Sequence, residues 1–158
     1  MTMLDDFHDA AWLEKTRAEG DVTAWLARVP YARFIGVSAS PDAEGDGMVF
    51  HLEPHAHNVG NILLPAIHGG VVAAFMETAG TLDLMLAART PRLPRIVDFS
   101  IDYLRAARVI PTHARCRLLR EGRRMANVQV TAWQEREEEP VATARLHFVL
   151  SAAEESNA

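Results

Sequence analysis

The chain has 158 residues, 49% of them hydrophobic and 23% charged, and a formal net charge of −5. That length fits one domain around one core, the balance of residue types excludes a disordered chain, and the negative charge speaks against nucleic acid as a partner. A single cysteine, Cys116, excludes an intrachain disulfide and a cysteine-built zinc site, and its place in the alternating stretch THARCRLL reads as structural rather than nucleophilic.

The opening MTMLDDFHDAAW is acidic and lacks the basic flank and apolar run of a secretory signal. No uninterrupted apolar run reaches the ~18 residues of a membrane span, so a cytoplasmic protein without a membrane partner is expected. Residues 5–19 and 21–29 read as two amphipathic helices broken near Gly20, with Trp12, Leu13, Trp25 and Leu26 as packing residues and Asp21 as a cap. RFIGVSAS and GMVFHLE follow as strands joined by the turn-rich PDAEGDG, and a loop runs from Pro54 to Ile67. Residues 69–88 form the strongest helix candidate, ended by the Arg-Thr-Pro of 89–91.

Four strands complete the pattern. RIVDFSIDYL alternates Val97, Phe99, Ile101 and Tyr103 on one side, THARCRLLR and RMANVQVTAWQ flank a turn with Glu121 and Gly122, and VATARLHFVL closes the fold. SAAEESNA reads as a disordered tail. The division expected is an N-terminal helical extension over 1–32, a single domain over 33–150 and the tail over 151–158. Two strands, a long helix and four strands predict an α+β domain, an antiparallel sheet laid across one helix. That helix is apolar nearly all round, so sheet must wrap it.

The helix opens with IHGGVVAAFMETAG. A helix's first turn leaves N–H groups unpartnered and gathers partial positive charge, which suits an anion or a developing oxyanion. Gly69 and Gly70 leave that approach open, and a carbonyl oxygen against the Gly69 or Gly70 N–H would be polarised as acyl transfer requires. His68 would orient the loop or add a hydrogen bond. Glu77 lies eight residues beyond Gly69, about 12 Å along the axis, so one helix cannot bring both to one carbonyl. Two antiparallel copies across a dyad can, which implies a homodimer with sites at its interface. Burial on so apolar a helix should raise the Glu77 pKa toward a general base's range, and Thr81 is placed to bond Glu77 or an attacking water. The blander alternatives are a plain helix start at His-Gly-Gly and a carboxylate that merely reaches solvent.

Ten of the fifteen arginines lie between Arg89 and Arg124, against three acids, Asp98, Asp102 and Glu121. This is either a set of solvated strand faces or a site for an anionic ligand such as a nucleotide phosphate.

His68-Gly69-Gly70 with Glu77 nine positions after the histidine, together with DFSIDYLRAAR and VATARLHF, resembles the hotdog-fold acyl-CoA thioesterases of the phenylacetic-acid-degradation type, over about residues 33–150. The resemblance implies hydrolysis of an acyl- or aryl-CoA thioester by a homodimer, paired further into a tetramer. Coenzyme A is part of the substrate and no cofactor is implied. It gives Asn58, Gly69 and a Glu77 from the neighbouring subunit the working roles, with His68 in support. CoA would then be the anion for Arg105 and Arg108, followed by Arg123 and Arg124. Two features depart from the family. Seven residues separate Gly60 from His68 where two are usual, so Asn58 or Asn61 fills the loop asparagine's place. Glutamate with a threonine four residues on is closer to the hydroxybenzoyl-CoA thioesterases of the same fold. The carboxylate either activates water or attacks to form an anhydride.

Two rivals remain. A hotdog dehydratase of 3-hydroxyacyl thioesters would pair Glu77 with one of His51, His55 and His57, and a noncatalytic acyl-CoA-binding module would keep the pocket without turnover. The same histidines lack a third metal ligand at a recognisable spacing.

Overall fold

The computed structural model of the chain describes residues 15, 17–45, 47–61, 63–87 and 92–152. Of the helix expected over 5–19, Lys15 and residues 17–19 are described and are helical, while Trp12 and Leu13 lie outside the described residues. Helix α1, Val22–Arg28, begins where expected, because the Asp21 side chain accepts a hydrogen bond from the Ala24 N–H at 3.0 Å. Trp25 and Leu26 are buried.

A second short helix, α2, occupies Pro30–Ile35, where the first strand was expected to start at Arg33. Proline at the first helical position loses no hydrogen bond there. Gly36, at φ 85°, then stops the helix in a left-handed cap whose N–H bonds Ala32 O and Arg33 O. The first strand is therefore confined to β1, Val37–Pro41, which forms a hairpin with β2, Met48–Leu52. The expected loop holds a 3-10 turn, Ala56–Asn58, and two short paired strands, β3 (Val59–Asn61) and β4 (Ala66–Ile67).

The long helix, α3, spans Gly69–Ala87. After it come β5 (Arg92–Tyr103), β6 (Thr112–Glu121), β7 (Met125–Trp133) and β8 (Ala142–Ala152). The sheet has the order β1-β2-β6-β7-β8-β5 and every pairing in it is antiparallel, the hotdog arrangement of a sheet wrapped on one helix. Val72, Phe75, Met76, Ala79 and Leu82 of α3 share one core with Phe50, Val128, Val130, Leu146 and Phe148 of the sheet. At Gly80 a Cβ would lie 3.0 Å from Leu146 and 3.2 Å from Val130, so the sheet rests directly on helix backbone. By length and composition α3 is apolar enough to cross a membrane. Its place against the sheet makes it the core helix instead.

Ala32 and Ile35 of α2 and Trp25 of α1 belong to that same core, so the described part of the N-terminal extension packs into the domain. A register shift between Ile96 and Asp98 alters the expected face of β5. Ile96, Phe99 and Ile101 pack inward, whereas Val97 is 52% exposed. β8 continues through Ser151 and Ala152, where the tail was expected to begin; residues 153–158 and the helix stop at 89–91 lie outside the described residues.

Candidate active site

The first turn of α3 explains why a histidine precedes two glycines. His68 caps the helix with both its side chain and its carbonyl: Nδ1 accepts from the Gly70 N–H at 2.9 Å, and the carbonyl accepts from Val71 and Val72 at 2.9 and 3.1 Å. Among the described residues the Gly69 N–H has no hydrogen-bond partner, so of this turn's four amides it is the one left free. Because Nδ1 accepts, the His68 proton in this arrangement sits on Nε2.

The loop before α3 is fixed tightly. His68 N donates to Asn58 O at 2.8 Å, and Ile67 N donates to Ala107 O at 2.8 Å. A Cβ at Gly60 would come within 2.5 Å of His68 Cβ and 2.7 Å of its Cα, so only glycine allows this approach. The extra residues between Gly60 and His68 are taken up by the β3–β4 hairpin, which returns the chain to Asn58. Asn58 is 1% exposed; its Nδ2 donates to Ile35 O at 2.8 Å and Glu53 O at 3.3 Å, while Oδ1 is buried without a partner among the described residues. Asn61 sits in β3 opposite Ala66.

Beside Gly69 lies a cleft of about 420 Å³ whose walls include Ile67, Val72, Tyr103, Leu104 and Arg105. Tyr103, read from sequence only as a strand residue, donates its hydroxyl to Gly69 O at 2.7 Å. Nothing in the local pattern marks that contact, which spans 34 residues.

Glu77 is exposed, on the part of α3 that the sheet leaves uncovered, so its own chain does not supply the burial expected for it. Thr81 donates to the backbone carbonyl of Glu77 at 2.8 Å, as Thr78 does to Ala74, and its hydroxyl is therefore spent on the helix rather than on the Glu77 carboxylate. The eight residues from Gly69 to Glu77 lie within one helix, about 12 Å at 1.5 Å per residue.

The arginines divide. Arg105 reaches the rim of the cleft and donates to Pro140 O at 2.8 Å. Arg108 is paired with Glu135 at 2.6 Å, and Arg115 with Asp42 and Glu137. Arg123 and Arg124 border a separate hollow of about 620 Å³ in the β6–β7 turn. Arg124 O holds Leu150 N, eight residues along β8 from the Ala142 that pairs with Tyr103, or about 26 Å. Within one chain, Arg123 and Arg124 do not meet Gly69.

The remaining candidates are placed elsewhere. His51 faces away from α3, with its ring nitrogens 2.9 Å from His113 Nδ1 and 2.9 Å from Ser40 Oγ. His57 donates through Nε2 to Phe34 O at 2.7 Å and stacks between Phe34 and His55. No group of three candidate metal ligands occurs among the described residues. Cys116 lies against the core, where burial and then the Asp83 carboxylate push its thiol pKa well up, the opposite of what a nucleophile needs. Asp83, on α3, is itself raised by burial to about 6.

The sequence profile described as the thioesterase superfamily matches residues 64–141. The solved structure of a Chromobacterium violaceum protein is 35% identical, covers 91% of this chain and 99% of its own, and superposes with a TM-score of 0.72. A thioesterase from Haemophilus influenzae shares the fold at 21% identity and a TM-score of 0.73, over 85% of this chain and 91% of its own. So does a Bacillus halodurans protein solved with CoA, at 14% identity and a TM-score of 0.67, over 90% and 93%. Among curated proteins none matches the chain.

Proposed function

The chain belongs to the thioesterase superfamily, and from that premise we propose that it hydrolyses an acyl- or aryl-CoA thioester to the free acid and CoA, at a site shared by two copies of the chain. The observation that carries this proposal is the Gly69 amide, alone in its turn without a partner among the described residues and set at the wall of a cleft. A thioester carbonyl seated there is polarised in the ground state and stabilised more strongly as its oxygen gains charge.

Glu77 of the second chain supplies the other half. It takes a proton from water as the hydroxide oxygen bonds to the carbonyl carbon, or it attacks that carbon itself and the anhydride is then hydrolysed; in both routes the C–S bond breaks and CoA leaves as thiolate. Three features support the shared site. Glu77 and Gly69 are too far apart along one helix, Glu77 lies on an uncovered face, and β5 is a 12-residue edge strand with Val97 and Tyr103 more than half exposed. Such an edge is a template for pairing with a second copy, and pairing about a dyad sets two α3 helices antiparallel.

Arg105 at the cleft rim is the first phosphate partner, with Arg108, Arg123 and Arg124 reached only where the CoA tail or the second chain extends to them. The solved CoA complex of the Bacillus halodurans relative, alike in fold, supports CoA as the carrier.

The test is thiol release from phenylacetyl-, hydroxybenzoyl-, short-, medium- and long-chain acyl-CoAs by wild type and Glu77→Gln in parallel. Release that collapses in the folded variant supports the proposal and begins to name the acyl group. A folded, dimeric wild type inert toward the whole panel would remove it.

A further inference from the structure

The contact between Tyr103 and Gly69 carries a role that neither motif nor family likeness assigns. The free N–H belongs to the peptide joining His68 to Gly69, and a glycine leaves the peptides on both sides of it unusually free to rotate. Both sides are nevertheless held. Upstream, the peptide that carries the free N–H is held by its own carbonyl, since His68 O accepts from Val71 and Val72 at 2.9 and 3.1 Å; downstream, the Gly69 carbonyl receives the Tyr103 hydroxyl at 2.7 Å. Tyr103 is rigidly mounted, since it pairs with Ala142 and the next two amides, of Leu104 and Arg105, both donate to Val141 O at 2.9 and 3.1 Å. Its ring lies so close that a Cβ at Gly69 would sit 3.2 Å from Cζ and from the hydroxyl oxygen. A side chain at 69 would therefore need the tyrosine ring to give by a few tenths of an ångström.

We infer that Tyr103 is a positioning residue: the bonds to the His68 carbonyl hold the peptide that carries the Gly69 N–H on one side, and Tyr103, through the Gly69 carbonyl, holds the glycine on the other and so completes the oxyanion donor's aim. This rests on the thioesterase proposal for its catalytic consequence but not for its geometry. A donor misaimed by a fraction of an ångström keeps its hydrogen bond to the ground-state carbonyl and loses the extra strength gained in the transition state. The signature of the role is accordingly a fall in kcat with KM spared.

The experiment is Tyr103→Phe, which keeps the ring and removes only the oxygen. Two readouts are needed: the ¹H–¹⁵N resonance of the Gly69 amide, and kcat and KM on the best CoA thioester. The expected result is a shifted Gly69 amide resonance and a kcat lowered about tenfold, with KM within about twofold and the melting temperature little changed. An unmoved Gly69 amide overturns the inference, and so does a moved amide with unchanged kcat, or a loss carried by KM and stability together. If wild type hydrolyses no thioester, the proposed function fails, while the amide resonance still decides whether Tyr103 holds Gly69.

Discussion

Gly69→Pro removes the free amide hydrogen and no existing hydrogen bond, because the Gly69 N–H has no partner among the described residues. Proline is favoured at the first helical position, and the residue before it is confined to the extended region a capping residue ordinarily adopts. The added Cβ meets Tyr103 at 3.2 Å, a tight contact that Gly69→Ala creates equally. Alanine is therefore the control for the Cβ contact, and the difference between the two variants reports the loss of the N–H together with the proline ring carbon that takes its place. Removing one oxyanion donor costs about 10²–10³ in kcat, or roughly 3 kcal/mol of transition-state stabilisation. Steady-state thiol release, with thermal melts of both variants, should show Gly69→Pro at least about a hundredfold below Gly69→Ala in kcat and no less stable. A proline variant within about threefold of the alanine variant would refute the assignment of the oxyanion donor.

Three further outcomes follow from the same geometry. His68→Asn keeps a capping acceptor and removes the imidazole, so it should retain kcat within a few-fold and near-native stability, whereas His68→Ala loses about 1 kcal/mol of cap; a stable Asn variant with kcat down about a hundredfold would make His68 an acid–base group instead. Gly60→Ala drives a Cβ to within 2.7 Å of the His68 backbone, and should cost about 1–3 kcal/mol and disturb the Gly70 amide resonance; an unchanged melt would mean the loop yields freely. Burial raises Asp83 from 3.8 to about 6, so the folded state holds that proton more tightly and stability falls as pH climbs across this window. Asp83→Asn should therefore gain on wild type over the same range, by at most about 3 kcal/mol at neutral pH, and a difference in melting temperature that does not vary with pH would contradict the burial argument.

Much of the fold is written in short-range pattern. The Asp21 cap, the β1–β2 hairpin and the start of α3 follow from caps, turn residues and periodicity. α2 is missed because Phe34 and Ile35 read equally well as strand, and only the left-handed Gly36 behind them decides. β3 and β4 are too short to show alternation, and the shift at Ile96 and Asp98 turns Val97 outward against the pattern.

The site divides in the same way. Gly69 stands out as a side-chain-free first turn, but its status as the one free amide depends on His68 occupying three neighbouring donors. Asn58 cannot be placed by spacing, because a hairpin absorbs the extra residues before His68. Tyr103 is invisible as a site residue, since its contact with Gly69 crosses from the end of one strand to the start of a helix distant in sequence.

The shared site is tested most directly by complementation. Glu77→Gln and Gly69→Pro chains carrying different tags are coexpressed, the mixed dimer is isolated, and thiol release is measured against each parent homodimer and wild type. If Gly69 of one chain works with Glu77 of the other, both homodimers are inactive and the mixed dimer keeps one intact site of two, about half the wild-type rate. A mixed dimer no more active than its parents would place both groups' work within a single chain and contradict the account.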